Sequence, residues 1–228
     1  MIIGISQPTF MPYAGYFGLL DYVDCFVFLD DVQFDKRSWQ QRNYIFLDKK
    51  AYLLTVPVLS KGKFHQKISN VKILNNKSKE KILLKIHCAY KNSKFFSRYV
   101  KKIKNIFEES NGLLLDLNIK IIKFLVEEFG ISTKLNFLSK TNINSKKIKL
   151  IYDICKKFNA TEYISTIGAK DYMGKIREIP NTSIKINYFK FNHKTEYSQN
   201  QQLSAIDLLF NEGPNSINII RRCFKIEK

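Results

Sequence analysis

Two adjacent carboxylates, Asp30 and Asp31, close an apolar run of strand length and are the first candidates for chemistry in the chain. Such a pair can hold Mg²⁺ through oxygen ligands, bind a substrate ammonium group or act as a general base. Aspartate is also common in turns and at the starts of helices, so the alternative is that the pair has a purely structural role. Because side chains alternate in direction along a strand, we expect only one of the two to face a ligand.

Cationic and aromatic side chains follow this pair within a dozen residues. Lys36, Arg37 and Arg42 flank Trp39, and only six of the 38 cationic residues are arginines. A guanidinium group can bind phosphate through paired hydrogen bonds, and an indole can stack on a base or a sugar. These residues therefore favour a nucleotide diphosphate as ligand. The alternative is that Trp39 packs in the core with the cations at its edge, because Trp is usually largely buried.

Amide and hydroxyl side chains are weaker candidates. Three amides could orient a hydroxyl or a carbonyl group of a substrate, namely Gln7, Gln33 and Asn43. Later in the chain, Ser165 and Thr166 end an apolar run and, with residues 167–170, could contact phosphate. A strand followed by a capped helix explains that segment equally well.

Tyr13 and Tyr16 frame the sequence YAGY at 13–16. Nucleotidyl-transferring Rossmann-like enzymes carry H-x-G-H at a similar position after the first strand. Tyrosyl hydroxyls can donate hydrogen bonds to a substrate, but they cannot supply the positive charge of an imidazolium group. Gly15 would let a nucleotide approach the N-terminus of a helix closely.

Hydrophobic periodicity predicts the elements that position these residues. Residues 2–6 and 25–29 are apolar runs of strand length, and 15–22 between them is typical of a short helix. A strand, a crossover and a second strand form a parallel pair whose carboxyl ends lie at one edge of the sheet, where open α/β folds bind ligands. The loops over 8–16 and 30–35 should therefore be neighbours.

The remaining periodicity predicts an α/β protein with an insertion. Strands are expected at 44–47, 52–57, 68–74, 162–165 and 184–189. Helices are expected at 78–90, 94–109, 113–129, 145–158 and 203–210. We therefore predict a single α/β domain over 1–228, with a Rossmann-like, mostly parallel central sheet, an inserted strand section and a helical subdomain at about 77–130.

Composition excludes several classes of protein. With 228 residues, 45% of them hydrophobic, the chain can bury a substantial core. A net charge of +18 suggests nucleic acid or an anionic surface as partner. The lysines are dispersed over several helices without aromatic residues between them, so we do not expect a nucleic-acid partner.

No apolar stretch approaches a membrane span or a signal peptide, so we expect a cytoplasmic protein. The cysteines and histidines are scattered, which predicts buried free thiols and no metal site.

The motifs together resemble the WbqC-like family of bacteria, whose pattern runs Q-P-x-Y/F-x-P-x-x-G-Y-F, then D-D-V-Q, then K-R-x-W-x-x-R-N. The matching segments are QPTFMPYAGYF at 7–17, FLDDVQF at 28–34 and KRSWQQRN at 36–43. Further similarity is found at 163–172, 197–199 and 203–211, so the resemblance covers nearly the whole chain. Tyr13 stands where the family often has Trp, and Lys94 stands where we expect Pro.

The resemblance implies a role in surface-polysaccharide (O-antigen) biosynthesis. We expect a transferase that forms an amide by passing an acyl or aminoacyl group to the amine of a nucleotide-linked amino sugar. One aspartate would deprotonate the ammonium group and the cations would hold the pyrophosphate, while Trp39 and Tyr13 stack and Gln7 polarises the acyl carbonyl. The acyl donor would be a thioester, for example on an acyl carrier protein, or an adenylate made from ATP.

Two other functions stay open at this point. A metal-dependent glycosyltransferase would use Asp30 and Asp31 to coordinate Mg²⁺ on a nucleotide diphosphate sugar, and chelation by EDTA would abolish its ligand binding. A non-enzymatic protein that binds nucleic acid or an anionic surface would show affinity that falls steeply with salt.

Overall fold

The computed structural model describes residues 1–166, 182–193 and 202–227. The strands in these ranges are β1 (Ile2–Ser6), β2 (Cys25–Phe28), β3 (Arg42–Leu47), β4 (Lys50–Thr55), β5 (Lys134–Phe137), β6 (Glu162–Thr166), β7 (Lys185–Phe191) and β8 (Phe224–Glu227). The helices are α1 (Ala14–Tyr22), α2 (Asn76–Tyr90), α3 (Phe96–Glu109), α4 (Leu114–Glu128), α5 (Lys147–Lys157), α6 (Ala205–Glu212) and α7 (Ser216–Cys223). Short 3-10 turns lie at Ile68–Asn70, Leu138–Lys140 and Gly213–Asn215.

Six of the strands form one sheet in the order β5-β2-β1-β6-β7-β8. β8 runs antiparallel to β7, and the other neighbouring pairs are parallel. From β1 the chain moves outward to β2 and β5 on one side, then returns to β6 and β7 on the other side. This is the doubly wound order of Rossmann-like folds, which leaves a crevice outside the carboxyl ends of β1 and β6. The prediction of a Rossmann-like, mostly parallel sheet is confirmed.

Both faces of this sheet are buried. Ile3 and Val27 point to one face, where they pack with Ile154 of α5. Phe26 and Ile164 point to the opposite face and belong to a larger core that includes the inserted helices. A parallel sheet covered on both sides requires strands that are apolar throughout, which is why β1 and β2 appear in the sequence as continuous apolar runs.

The insertion between β2 and β5 begins with a hairpin. β3 and β4 form a separate two-stranded antiparallel sheet. Asp48 and Lys49 join them, both with positive φ, as a tight hairpin turn requires. α2, α3 and α4 follow where the periodicity predicts helices. Among the described helices, none combines the length and the apolar character needed to cross a bilayer.

The strand predicted at 68–74 is wrong. Ile68–Asn70 is a 3-10 turn, and the residues after it form only isolated bridges, such as Val58 with Ile73. Ile68, Val71 and Ile73 are all buried. Their apolar character anchors an irregular segment against the core, and composition by itself does not distinguish such a segment from a strand.

Candidate functional site

A cavity of about 510 Å³ opens at the carboxyl edge of the main sheet. Ser6 ends β1, Thr166 ends β6 and Phe189 lies in β7, and all three line the cavity. β1 and β6 flank the point where the strand order reverses, which is where open α/β folds bind ligands. We call this space the aromatic cavity.

The described lining of the aromatic cavity carries no formal charge. Five of its residues are aromatic, namely Tyr13, Tyr16, Trp39, Tyr44 and Phe189. The others are Ser6, Thr9, Leu19, Asn43, Thr166 and Gln202. Rings with a few hydroxyl and amide groups suit a sugar or a nucleobase, whereas a phosphate group finds no cation among these residues.

Two loops build the mouth of the cavity, one over 7–13 after β1 and the other over 29–41 after β2. The Phe10 amide donates a hydrogen bond to the Trp39 carbonyl oxygen at 2.9 Å. The Gln40 side-chain amide donates to Oε1 of Gln7 at 2.9 Å. The loops after β1 and β2 are therefore neighbours, as the parallel pairing of β1 with β2 requires, but these hydrogen bonds join the first loop to residues 39 and 40 and not to the predicted stretch at 30–35.

Two buried asparagines hold this arrangement together. Nδ2 of Asn118, from α4, donates to the Pro8 and Gln40 carbonyl oxygens at 2.9 and 2.8 Å, and so joins both loops to one helix. Nδ2 of Asn43 donates to the Met11 carbonyl oxygen at 2.9 Å. Buried carbonyl groups in irregular loops need such donors, because water does not reach them.

Asn43 and Gln7 were expected to orient a substrate, but their side-chain amides are engaged within the protein. Oδ1 of Asn43 accepts a hydrogen bond from the Tyr44 amide at 2.8 Å, and its nitrogen serves the first loop. Gln7 is paired with Gln40. Both polar ends of the Asn43 amide are used within the protein, whereas Gln7 uses only its Oε1 atom and its Nε2 has no hydrogen-bond partner among the described residues. The substrate contacts expected of the two amides stay predictions.

The aspartate pair lies outside the lining of the aromatic cavity. Asp30 is buried and accepts two hydrogen bonds from Ser139, one from the backbone amide at 2.9 Å and one from the hydroxyl at 2.6 Å. Asp31 forms an ion pair with Lys67 at 2.6 Å. Asp30 holds the turn that follows the neighbouring strand β5, and Asp31 makes a surface contact, while the catalytic role expected for the pair stays a prediction.

Asp30→Ala is expected to lower the free energy of unfolding by about 2 kcal/mol, because two hydrogen bonds to a charged group are lost. Asp31→Ala is the matched control, since an exposed ion pair contributes about 1 kcal/mol or less. Urea denaturation followed by circular dichroism measures both. An Asp30→Ala protein with wild-type stability that no longer binds its ligand would show that the carboxylate acts on the ligand.

Trp39 and Arg42 lie together at the rim of the cavity. The Trp39 side chain is 50% exposed, so the alternative that it packs in the core is wrong. The Arg42 guanidinium carbon lies 5.9 Å from the centre of the Trp39 ring, and Tyr44 contacts the same ring at 5.8 Å. Nε of Arg42 is buried without a hydrogen-bond partner among the described residues. Trp39 therefore offers an exposed indole face, while the unpaired Nε of Arg42 is buried.

Three other predicted contacts lie away from the lining. Lys36 and Arg37 are exposed on the second loop, and Arg37 has a positive φ of 65°. Gln33 donates to the Phe64 carbonyl oxygen at 3.1 Å, on the outside of the same loop. None of the three contributes to the cavity lining. The structure thus brings only Arg42 of the predicted cations against an aromatic residue of the cavity.

Tyr13 and Tyr16 both line the cavity as neutral hydroxyls. Burial raises the pKa of each above its ordinary value. The Tyr16 hydroxyl donates to the Gln7 carbonyl oxygen at 3.1 Å. The Tyr13 hydroxyl has no hydrogen-bond partner among the described residues, so it is available to donate to a ligand. Neither tyrosine would act as a phenolate base near neutral pH.

Gly15 serves packing here, which corrects the expectation that it admits a nucleotide. A Cβ atom at this position would lie 2.4 Å from Cε2 of Tyr13 and 2.7 Å from Cβ of Phe191. The absent side chain therefore allows the Tyr13 ring and β7 to close over the start of α1.

The carboxyl end of β6 supplies one predicted residue to the cavity. Thr166 lines it, whereas Ser165 is buried and accepts a hydrogen bond from the Tyr163 hydroxyl at 3.1 Å. The role of Ser165 in ligand contact is therefore corrected. The proposed phosphate loop at 167–170 and the motif at 197–199 lie outside the described residues.

Sequence reasoning missed six lining residues: Ser6, Thr9, Leu19, Tyr44, Phe189 and Gln202. Ser6 and Thr9 follow the first strand and Tyr44 follows Asn43, so their position beside the motifs was an available signal. Phe189 and Gln202 are far from the motifs along the chain, and only the sheet order brings them in.

No metal centre is found in the described part of the chain, where no group of three or more His, Cys, Asp or Glu side chains could hold an ion. Cys25 and Cys155 are buried free thiols, as expected, while Cys88 is exposed.

A titratable carboxylate, Asp207, lies in a small neighbouring cleft that shares Gln202 with the cavity. Burial raises the pKa of Asp207 to about 6.

Comparison with known proteins places these residues in a family. The model of the WbqC-like protein family matches residues 7–219. The chain belongs to the WbqC-like protein family. The uncharacterized protein Rv1507c of Mycobacterium tuberculosis (strain ATCC 25618 / H37Rv) is 30% identical over 227 residues, covering 97% of this chain and 98% of that protein. No solved structure matches the chain. Every lining residue of this WbqC-like protein except Ser6 falls within the matched range.

Proposed function

We propose that this WbqC-like protein is a transferase of surface-polysaccharide (O-antigen) biosynthesis that binds a nucleotide-linked amino sugar in the aromatic cavity. The observation that carries the proposal is the cavity itself. It measures about 510 Å³, lies at the reversal point of a doubly wound sheet, and is lined by five aromatic rings with hydroxyl and amide groups. Its volume is in the range of small-molecule sites, and its position is where nucleotides bind in such folds.

The charge distribution suggests which part of the ligand lies where. The uncharged lining suits the sugar or the base, which are neutral and can stack on Trp39 and Tyr44. The phosphates would lie beside Trp39, close to the guanidinium group of Arg42, whose buried Nε has no described partner and would have to become accessible when the ligand binds. An unpaired buried donor is costly, and a phosphate oxygen would satisfy it. Lys36 and Arg37, exposed on the same loop, would add attraction for the anion.

The reaction we propose is amide formation by transfer of an acyl or aminoacyl group to the sugar amine. The neutral Tyr13 hydroxyl would donate a hydrogen bond to the acyl carbonyl oxygen as negative charge develops on it. This adds to the sequence-based role of Gln7, whose Oε1 accepts from Gln40 and whose Nε2 is left to donate. The described lining has no carboxylate that would pair with an ammonium group. Burial of the sugar amine in the cavity would therefore favour its uncharged form, which is the form that attacks an acyl group. The donor would be an acyl thioester, for example on an acyl carrier protein, or an adenylate made from ATP. As the C–N bond forms, the C–S bond of the thioester or the C–O bond to AMP breaks, and the proton lost by the amine goes to the leaving thiolate or, with AMP as the leaving group, to water.

Metal-dependent sugar transfer is the less favoured reaction. Coordination of Mg²⁺ by the aspartate pair would require Asp30 to leave Ser139 and Asp31 to leave Lys67. We therefore expect nucleotide-sugar binding to be unchanged by EDTA. Loss of binding in EDTA that Mg²⁺ restores would favour the glycosyltransferase over the acyl transferase.

Trp39→Ala is expected to weaken binding of a nucleotide-linked amino sugar roughly tenfold or more, because stacking on an aromatic side chain contributes about 1–3 kcal/mol. Stability should change little, since half of the Trp39 side chain is exposed. Isothermal titration with a panel of uridine, thymidine and guanosine diphosphate amino sugars measures the affinity.

Phe64→Ala is the matched control, because Phe64 is an exposed aromatic residue that does not line the cavity. Equal affinity in wild type and Trp39→Ala would contradict the proposed binding mode.

Mass spectrometry tests the proposed reaction. It should show one added acyl group on the amino sugar when an acyl thioester, or an acid together with ATP, is supplied. An unmodified sugar with every donor would leave the protein a binder without the proposed transferase activity.

A further inference from the structure

A second space of about 510 Å³ lies between β4 and α2 and shares no lining residue with the aromatic cavity. Three lysines of α2 line one side of it, Lys77, Lys81 and Lys85, and they repeat every four residues. Residues four apart lie on one face of a helix. The other lining residues are Tyr52, Leu53, Leu54, Thr55, Pro57, Leu74, Asn75, Ser78 and Ile82. We call this surface the lysine groove.

Among the described residues the groove lysines have no acidic partner, whereas some lysines on the neighbouring helices α3 and α4 do. Lys104 pairs with Glu108 on α3, and Lys120 pairs with Asp116 on α4. In the described chain no carboxylate pairs with Lys77, Lys81 or Lys85. The described lining of the groove contains no Asp or Glu.

Charge is segregated on α2 itself. Glu80 lines a different pocket, together with Lys79, so the acid of this helix does not face the groove. The first turn of α2 has no acidic residue, which leaves the positive end of the helix dipole uncompensated beside Lys77. The groove therefore presents a concentrated positive field to anything that enters it.

Apolar surface accompanies this charge. Leu74 is 48% exposed and Pro57 is also exposed, while Leu54 and Ile82 are buried beneath the groove. Lys85 is already ordered, because its ammonium group lies 4.1 Å from the centre of the Tyr52 ring and contacts the Tyr52 hydroxyl. A partner would therefore contact positively charged side chains next to apolar side chains that remain exposed to solvent in the folded protein.

We propose that the lysine groove docks an acidic amphipathic helix of a partner protein. Lysines four residues apart are spaced by about 6 Å along α2, and carboxylates four residues apart on a second helix have the same spacing. The adjacent positions of that helix would carry apolar side chains that cover Leu74 and Pro57, a recognised mode of helix binding in grooves. Nucleic acid matches the charge but has no apolar stripe to cover these residues. The proposal does not depend on the ligand of the aromatic cavity.

The test uses an 18-residue helical peptide with Glu at every fourth position and Leu on the adjoining positions, labelled for fluorescence anisotropy. We expect it to bind at physiological salt, and a scrambled peptide of the same composition to bind at least tenfold more weakly. Lys77→Glu/Lys81→Glu should weaken binding of the first peptide by tenfold or more. These changes should not harm folding, because glutamate is favoured in the first turns of a helix.

Lys101→Glu/Lys149→Glu is the matched control, since it makes the same change in net charge at exposed sites on α3 and α5. Its affinity for the peptide should stay within about twofold of wild type. Leu74→Ser tests the apolar part and should weaken the helical peptide while leaving a 12-nucleotide single strand of DNA unaffected. Three results would each overturn the proposal. The two double variants could lose the same affinity for the helical peptide, or the scrambled peptide could bind as tightly as the helical one. DNA could also bind the groove more tightly than the helical peptide.

Discussion

Asn118→Leu should lower the free energy of unfolding by about 3 kcal/mol, the largest effect we expect from one side chain. Asn118 is completely buried, and its Nδ2 serves the carbonyl oxygens of Pro8 and Gln40. Leaving a buried acceptor without a donor costs about 1–3 kcal/mol each. Loss of the unpaired Oδ1 atom offsets part of this cost, because that acceptor is itself unsatisfied. For a chain of this size the melting temperature should fall by roughly 6–12 °C.

The same change should also impair ligand binding. Asn118 joins the loop after β1 to the loop after β2, and these loops carry Tyr13 and Trp39 of the aromatic cavity. Asn105→Leu is the matched control, since Asn105 is exposed on α3 and should change stability by about 0.5 kcal/mol or less. Calorimetry and titration with a nucleotide sugar measure both effects. An Asn118→Leu protein with wild-type stability would show that the two loops hold together without this amide.

Gly15→Ala is expected to destabilise the protein by about 2 kcal/mol, although alanine normally favours a helix by about 0.5–1 kcal/mol. The new Cβ would lie 2.4 Å from Cε2 of Tyr13 and 2.7 Å from Cβ of Phe191. Tyr13 can rotate, but Cβ of Phe191 is held at the end of β7, where Phe191 pairs with Phe224 of β8. Overpacking therefore outweighs helix propensity. Moving the Tyr13 ring should also reduce ligand affinity, because that ring lines the cavity.

A double-mutant cycle with Tyr13→Ala separates these contributions. If the Tyr13 ring is the main obstacle, the cost of Gly15→Ala should shrink by about 1 kcal/mol once the ring is removed. Urea denaturation of the four proteins measures the coupling. A Gly15→Ala protein more stable than wild type would show that the start of α1 has room for a side chain, and the packing role of Gly15 would be wrong.

The position of the site was predictable from the sequence because it depends on chain order. Two apolar runs joined by a helix form a parallel pair, and that pairing alone brings the loops after β1 and β2 to one edge of the sheet. Tyr13, Tyr16 and Trp39 were named as candidates on that basis, and the structure places all three in the lining. The predicted strand at 68–74 failed because buried apolar residues also anchor irregular segments.

The functions of individual polar residues were less predictable, because they depend on partners distant in sequence. Asp30 is a plausible base until Ser139, 109 residues further along the chain, is seen to occupy both of its oxygens. Asp31 is likewise paired with Lys67, which is 36 residues away. Asn118 lies inside a helix with no motif around it, yet it connects both loops of the site.

The sequence by itself indicated most of the strands and helices, the family, and the edge of the sheet where a ligand would bind, because periodicity, motifs and chain order are local or sequential properties. It did not predict β5, β8 or α7. Tertiary structure alone decided that the described lining of the cavity is aromatic and uncharged, that Asp30 and Asp31 contact Ser139 and Lys67, and that Phe189 and Gln202 join the lining. These outcomes depend on which donors and rings from separate segments meet in space. Residue types and their order along the chain do not by themselves show which segments pack together.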